Sequence, residues 1–405
     1  MRIISFLIIW FNCITLSSCE GCSIIRINSN NSVIEQDKLS YNELGTVRGQ
    51  KLYINKNVDL KGKICELPKD ITICFNKGSI ENGTLVGNNN KVKFADGVLD
   101  NVKIKGNWNV PLIKTTFFKN LSSVNSLKDV LAFTNSNVHN KVYISSGEYW
   151  VEAKKEWDIC LPVNSNTDIF IQGVIKLKPN NYSGCNVILA TGNNINISGN
   201  GKVIGDRYTH TGNGGEWGFG INILNAKKVK IKGLTIENCW GDCIYIGGKS
   251  KDVQISNCVL SGSRRQGISI TSANGVKISD CQISKISGTA PEYAIDVEPD
   301  PGESCDNIVV SRVDVIDCKG GFMVYGRVPN TRTGSIKIYK CEVSHASKSA
   351  FRFIDCKSAT IDSCIITESS DVETVYFDRV KKISKKKIIV KNKDGKTAFC
   401  SNNHM

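Results

Sequence analysis

The segment Tyr293-Ala-Ile295-Asp296-Val297-Glu298 carries the most suggestive chemistry in this chain. Ile295 and Val297 alternate with two carboxylates, so on a strand Asp296 and Glu298 share one face about 7 Å apart. Like charges that close repel, and one of them holds its proton more tightly. A proton donor beside an ionised base is what general acid–base catalysis requires. The competing reading is an exposed acidic strand neutralised by Arg264 and Arg265. Those arginines could equally clamp an anionic ligand through bidentate hydrogen bonds. Trp240-Gly241-Asp242 adds a third carboxylate, at a bend where an Asp also commonly bonds its own backbone. The glycine-rich stretch from Asp206-Arg207-Tyr208-Thr209-His210 to Glu216-Trp217 sets ionisable groups beside an aromatic ring. It reads either as a ligand-binding loop or as a cap in which Arg207 and Asp206 merely pair.

These residues are distant in sequence, and a repeat brings them together. Gly220-Ile221-Asn222-Ile223 recurs as Cys243-Ile-Tyr-Ile246, Gly267-Ile-Ser-Ile270, Ala294-Ile-Asp-Val297, Gly321-Phe-Met-Val324, Ala350-Phe-Arg-Phe353 and Thr374-Val-Tyr-Phe377. Successive central residues, Ile221, Ile244, Ile268, Ile295, Phe322, Phe351 and Val375, lie 23 to 29 positions apart, the period of a solenoid whose rungs are buried by their neighbours. A second phrase keeps step: Val229-Lys-Ile-Lys-Gly-Leu-Thr-Ile236, Val253-Gln-Ile-Ser-Asn-Cys-Val-Leu260, Val276-Lys-Ile-Ser-Asp-Cys-Gln-Ile283 and three later copies. Apolar and polar residues alternate, an Asn, Asp or Gly resets the phase, and alternation resumes, which predicts strand, bend and strand. No stretch of the repeat carries a helical stripe. The fold class is therefore all-β, a single-stranded parallel β-helix. In that phase Asn222, Tyr245, Ser269, Asp296, Met323 and Arg352 form one outward column, with Thr271, Glu298 and Tyr325 two residues on. The expected groove has carboxylates at its centre, Arg264, Arg265 and Arg352 around them, Tyr245 and Tyr325 as walls, and Arg327 just beyond.

The 405 residues are 40% hydrophobic and 22% charged, which is neither a disordered nor a membrane composition. Met1-Arg2, an apolar run from Phe6 to Leu16 and Leu16-Ser-Ser-Cys19 read as a signal peptide over 1–18. Its end resembles a bacterial lipobox, which implies lipidation at Cys19; an ordinary cleaved signal is the alternative. Residues 19–49 are expected to be a tether, 50–115 a β-rich module and 116–400 the β-helix. A short capping helix is expected within Leu121–Phe133, where Val124, Leu127, Val130 and Leu131 share a side. Of the 17 cysteines, Cys258, Cys281, Cys341 and Cys364 fall in one inward column. Reduced thiols packed as a ladder are the expectation, a disulfide framework the alternative. Cys19-Glu-Gly-Cys22 is a lone Cys-x-x-Cys with no second pair to complete a metal site, and the four histidines do not cluster. The net charge of +14 is partly local: Arg379 to Lys396 holds nine basic residues against one acid. That run reads as an edge guard against strand pairing, or as attraction to an acidic glycan or membrane. An exported chain without aromatic stacking motifs is not expected to bind nucleic acid.

A helix, a strand-Gly-Glu-Tyr149 turn, Ile195-Asn-Ile-Ser-Gly199-Asn-Gly201-Lys-Val-Ile204-Gly205 and the repeated rungs resemble the pectin-lyase-like superfamily over roughly residues 115–380. Gly78 to Trp108 is similar to N-terminal modules of β-helix proteins from gut Bacteroidetes. The resemblance implies a right-handed β-helix, an exported carbohydrate-active protein and a polysaccharide or oligosaccharide substrate, on the outer membrane if Cys19 is lipidated. It does not fix a reaction. The leading expectation is a glycoside hydrolase whose acid and base come from Asp242, Asp296 and Glu298. Arg207, His210, Glu216, Trp217, Tyr245, Arg264, Arg265, Tyr325, Arg327 and Arg352 would then bind substrate, with no cofactor. The polygalacturonase pattern is not met: Asn166-Thr167-Asp168 lies upstream of its expected rung, and the other motifs are absent. One alternative is a uronide lyase, with arginines or Ca²⁺ neutralising the substrate carboxylate; another is a non-catalytic glycan-binding surface protein.

Overall fold

A computed structural model of the protein describes residues 38–121, 123–367, 374–391 and 397–401. The signal peptide, Cys19 and the Asn-rich part of the tether lie outside them. The described residues include the end of the segment expected to be tether. Ser40 and Glu43 form a reciprocal capping box around a 3₁₀ turn, Tyr41–Leu44, which buries Leu44 completely. Thr46–Arg48 then pairs antiparallel with Lys51–Ile54. The correction has a local cause: two backbone donors and one apolar side chain are satisfied only if the chain docks here.

Strands between Lys51 and Trp108 already stack in parallel rungs, with Lys51 opposite Thr72 and Thr72 opposite Lys91. The chain then continues into the main body, where Leu112–Lys114 pairs with Asn140–Ile144. The helix α1 spans only Ser126–Leu131. Leu127, Val130 and Leu131 are buried as the pattern predicts, whereas Val124 is exposed. Asp129 of α1 accepts from the Ile104 N–H at 3.1 Å, and nearby Asn135 donates to the Trp108 carbonyl at 3.1 Å.

The main body is a right-handed parallel β-helix of three sheets. One sheet stacks Asp158–Val163, Gly184–Thr191, Trp217–Leu224, Ile244–Gly247, Ile268–Ile270, Tyr293–Val297, Gly320–Tyr325, Phe351–Ile354 and Val375–Asp378. A second runs from Asn140–Ile144 to Lys382–Lys386, and a third from Glu148–Val151 to Ile388–Lys391. Two bends per rung are made by residues in the left-handed region. Asn257 (φ 54°), Asp280 (55°), Arg312 (51°), Lys340 (55°) and Ser363 (57°) repeat at one corner, and Gly262 (66°), Lys285 (58°), Asp317 (55°) and His345 (59°) at the next. Each such residue turns the strand without adding a loop, so the inward side of the following strand starts one residue later.

Inside, Ile, Val and Phe form continuous columns. Phe322 stacks on Phe351 with centroids 5.1 Å apart, and Phe353 on Phe377 at 5.4 Å. Cys258, Cys281, Cys341 and Cys364 are buried free thiols beside Leu234 and Val313 of the same column. At the lysine-rich end Ile388–Lys391 pairs antiparallel with Thr397–Ser401, which covers part of the last rung's edge.

Candidate active site

The outward column of the first sheet forms as its phase requires. Asn222 registers with Tyr245, Tyr245 with Ser269, Ser269 with Asp296, Asp296 with Met323 and Met323 with Arg352. Side chains at its centre are less exposed than an outward strand suggests: Asp242 is 0% and Asp296 2% accessible. The acidic strand is thus no solvated surface. Arg265, Gln266 and Ser269 of the neighbouring rung pack against these two carboxylates.

Asp242 sits at the bend before Ile244–Gly247. Its Oδ2 accepts from the Ser269 hydroxyl at 2.8 Å and from Arg265 at 3.4 Å. Asp296 lies two rungs further on and accepts from the Gln266 amide at 2.9 Å, while Gln266 Oε1 receives the Tyr293 N–H. Each carboxylate keeps its Oδ1 buried and without a partner, as does the Asn222 amide oxygen, whose NH₂ donates to Asn186 at 2.8 Å. A buried, unpaired carboxylate oxygen is costly and marks a place meant for something else.

Electrostatics separates the two. Burial lifts the Asp242 carboxyl to about 6, and Arg265 and the Ser269 hydroxyl hold it from rising further. Asp296 is pushed well above the usual carboxylate range by burial and then by Glu298, with only partial relief from Arg265. Glu298 is raised by burial against the pull of Arg265, and Asp300, which accepts from the Tyr245 hydroxyl at 3.4 Å, is raised by burial too. Arg265 is the shared counter-ion. It is 15% exposed, stands 3.4 Å from Asp242 and 3.5 Å from Glu216, and is held more firmly charged by the surrounding acids. The 3.5 Å approach to Glu216 is an ion pair and not an aligned hydrogen bond, since Arg265 Nε has no hydrogen-bond acceptor.

Tyr245 stacks on Phe219 at 4.6 Å and shares a 2.7 Å hydrogen bond with Thr271. Its phenol is raised by burial. Arg352 lies two rungs beyond Asp296, over the Tyr376 ring at 4.5 Å, and Tyr325 is half-buried on the preceding rung.

Several expected ligand-binding residues have other work. Arg207 donates to the carbonyls of Gly262 (2.7 Å) and Ser263 (3.0 Å). His210 is buried, hydrogen-bonded to Asp206 at 2.8 Å, and stacked on Trp240 at 3.8 Å. Arg264 lies over Trp240 at 3.6 Å and donates to the carbonyls of Trp240 and Gly215. A glycine-rich loop has few apolar side chains to bury, so these groups fix it by satisfying carbonyls of neighbouring rungs. Arg327 pairs with Asp355 at 3.5 Å and with Asp378, an ion cluster away from the carboxylates. Glu216 faces Arg265, and Trp217 pairs with Trp157, centroids 5.6 Å apart. Asp300, Phe219 and the partner roles of Gln266 and Ser269 escape a sequence reading, although Gln266 and Ser269 stand where the rung phase puts them.

Among the described residues, no three His, Cys, Asp or Glu side chains gather closely enough to hold a metal ion. The cation present among these carboxylates is Arg265. A cavity of about 630 Å³ lies instead near Leu39, Thr46 and Lys56 in the N-terminal module, remote from every group above.

Stacked parallel rungs around an apolar interior, with polar cargo on one sheet, define a right-handed β-helix protein. The chain belongs to the right handed beta helix region family, whose model matches residues 128–298 and again 219–404. Two Bacillus subtilis (strain 168) proteins are similar. The SPbeta prophage-derived uncharacterized protein YorA is 30% identical over 162 residues, 34% of this chain and 28% of that one. The uncharacterized protein YclG is 29% identical over 205 residues, 44% of this chain and 35% of its own length. The chain thus spans about a third of these curated relatives. Solved structures share the fold at low identity. Endo-xylogalacturonan hydrolase from Aspergillus tubingensis is 11% identical, with 72% of this chain and 99% of that chain covered and a TM-score of 0.44. PfbA, a surface adhesin of Streptococcus pneumoniae, is 10% identical, with coverages of 91% and 96% and a TM-score of 0.36.

Proposed function

We propose that the protein is a glycoside hydrolase that cleaves a polysaccharide, with Asp296 as general acid and Asp242 as general base. The observation that carries this reading is the pair of fully buried carboxylates on the groove floor, each with one oxygen unpaired. Burial and Glu298 both favour the protonated form of Asp296, the form that can donate to a leaving glycosidic oxygen. Asp242, at about 6, is mostly ionised there and can take a proton from water. Two rungs and about three residues along the strand separate their backbones, and both side chains reach toward the rung between them, Asp242 to Ser269 and Asp296 to Gln266. Carboxylates about 6.5–9.5 Å apart leave room for a water and accompany inversion at the anomeric carbon. Glu298 supports the acid by raising its proton affinity. This chemistry draws on side chains alone.

In its arginine form, the lyase alternative needs a guanidinium free to neutralise a substrate carboxylate. Arg207 and Arg264 are committed to backbone carbonyls and Arg265 to acids, which favours hydrolysis. We further propose export and a lipid anchor at Cys19, which incorporation of labelled palmitate, abolished by Cys19→Ala, would test. For the reaction, purified protein is incubated with a panel of plant, algal and host polysaccharides. New reducing ends without ultraviolet-absorbing unsaturated ends are expected, with inverted anomeric configuration by proton NMR, and Asp242→Asn should lower the rate about 10²–10⁴-fold. Unsaturated ends, retention, or an Asp242→Asn variant as active as the parent would sink the proposal.

A further inference from the structure

An aromatic surface lies upstream of the carboxylates on the same sheet, with Trp217 five residues before Asn222 of the Asp296 column. Trp217 directly follows Glu216, whose carboxylate faces Arg265. Trp157 stands two rungs earlier, since Asp158 registers with Cys185 and Cys185 with Gly218. The two indoles are 5.6 Å apart at 33°, and Trp157 is 48% exposed. Between them lies Gly184, where a Cβ would come within 3.1 Å of both side chains. The rings can close over that rung only because it lacks a side chain.

The turn that carries Trp157 is built. Glu156 accepts from the Ser183 and Gly184 N–H groups at 3.1 and 3.3 Å, and the Trp157 N–H donates to the Gly184 carbonyl at 2.8 Å. Trp157 itself is held at φ 58°. A bulky residue in the left-handed region is uncommon and costs about 1–2 kcal/mol. Elsewhere among the described residues such positions carry Gly or a polar or charged residue, so rung packing does not call for a half-exposed indole here.

We propose that Trp157 and Trp217 form a stacking platform for pyranose rings of a polysaccharide lying lengthwise in the groove, which makes cleavage internal to the chain. The proposal rests on the hydrolase reading for its cleavage point and on the platform alone for binding. Pyranose rings present C–H faces that an indole covers, while their hydroxyls stay wet. The rung of Ser269 marks the reacting bond between Asp242 and Asp296. Trp217 lies two rungs from it and Trp157 four, ~10 and ~19 Å at ~4.8 Å per rung. A sugar unit advances by about one rung, and the two rings are 5.6 Å apart, so the platform takes neighbouring units on that side. Met323 and Arg352 continue the groove on the other. A substrate must therefore extend several units to both sides of the scissile bond.

The test uses the full chain carrying Asp242→Asn, so that nothing is consumed, titrated with tri- and hexasaccharides of β-1,4-xylan, β-1,3-glucan, β-1,4-glucan and α-1,4-galacturonan by calorimetry and tryptophan fluorescence. One hexasaccharide series is expected to bind, with Trp157→Ala weakening it about threefold to tenfold, the contribution of one stacked ring. Trisaccharide affinity should change little. Phe170→Ala, which removes an exposed ring from a different sheet, should leave both unchanged. In the active chain, Trp157→Ala should raise KM for long substrates and leave kcat largely intact. Binding of none of the probes, or equal hexasaccharide affinity with and without the Trp157 ring, overturns the platform. Trp157-dependent binding without cleavage by the parent keeps the platform and removes the hydrolase reading. Cleavage indifferent to Trp157 does the reverse.

Discussion

The hydroxyl of Ser269 is a small group with a large lever. It donates to an otherwise poorly satisfied, fully buried Asp242, and hydrogen bonds to an ionised group favour that form. Activity should rise with pH as Asp242 ionises, with an acidic limb near 6, and fall again when Asp296 loses its proton well above the usual range. Ser269→Ala should move the acidic limb of kcat/KM upward by about one pH unit, the worth of one charge-assisted bond. A pH–rate profile with an unmoved limb would mean that Asp242 is not the base. Residue by residue, legibility followed distance. Phase alone aligned Tyr245, Ser269 and Asp296, because the alternation rule acts within a rung. Arg207 and His210 were misjudged because what they satisfy lies elsewhere: Gly262 and Ser263 for Arg207, Trp240 and a buried Asp206 for His210. No local pattern records which carbonyl a long cation will reach.

At the scale of elements, the corner residues do the shaping. Asn257, Asp280, Arg312, Lys340 and Ser363 take left-handed angles at one corner of successive rungs, and the reset of alternation at that position was plain in the sequence. The types chosen there are mixed, because a rung held by both neighbours tolerates the cost of a positive φ. A β-branched residue is the harder case. Asn257→Val should lower stability by about 1–2 kcal/mol, read as a shift in denaturant midpoint, whereas Asn257→Gly should cost little. If valine proved as stable as glycine, the corner would not be setting the turn. The helix was predicted too long for a related reason. Its apolar spacing covers Val124 to Leu131, but the first of these has nothing to pack against, and the chain stays helical only from Ser126. The docking of Tyr41–Leu44 was missed because Ser40 and Glu43 resemble any polar tether until Leu44 has a core to enter.

For the whole molecule, the site draws on the stability of the solenoid. Asp296 holds its proton in the folded chain above the pH at which the unfolded carboxyl, near 3.9, releases it. Within that window the native state binds the extra proton, so stability falls as pH rises. Below both values the penalty vanishes. Asp296→Asn should therefore raise Tm at pH 8, by about 1 °C per kcal/mol in a chain this long, and change it little at pH 3. A lower Tm at pH 8 would show that the carboxylate stabilises the fold instead. The cysteines bear on another aspect of the same body. The thiols at Cys258, Cys281, Cys341 and Cys364 fill the interior as hydrophobes and form no bonds to one another. Among the described residues the body closes without a disulfide, so that part of it needs neither a thiol oxidant nor a disulfide isomerase to mature. Its folding is then indifferent to the redox state of the compartment it enters, provided those thiols are inside before anything reaches them.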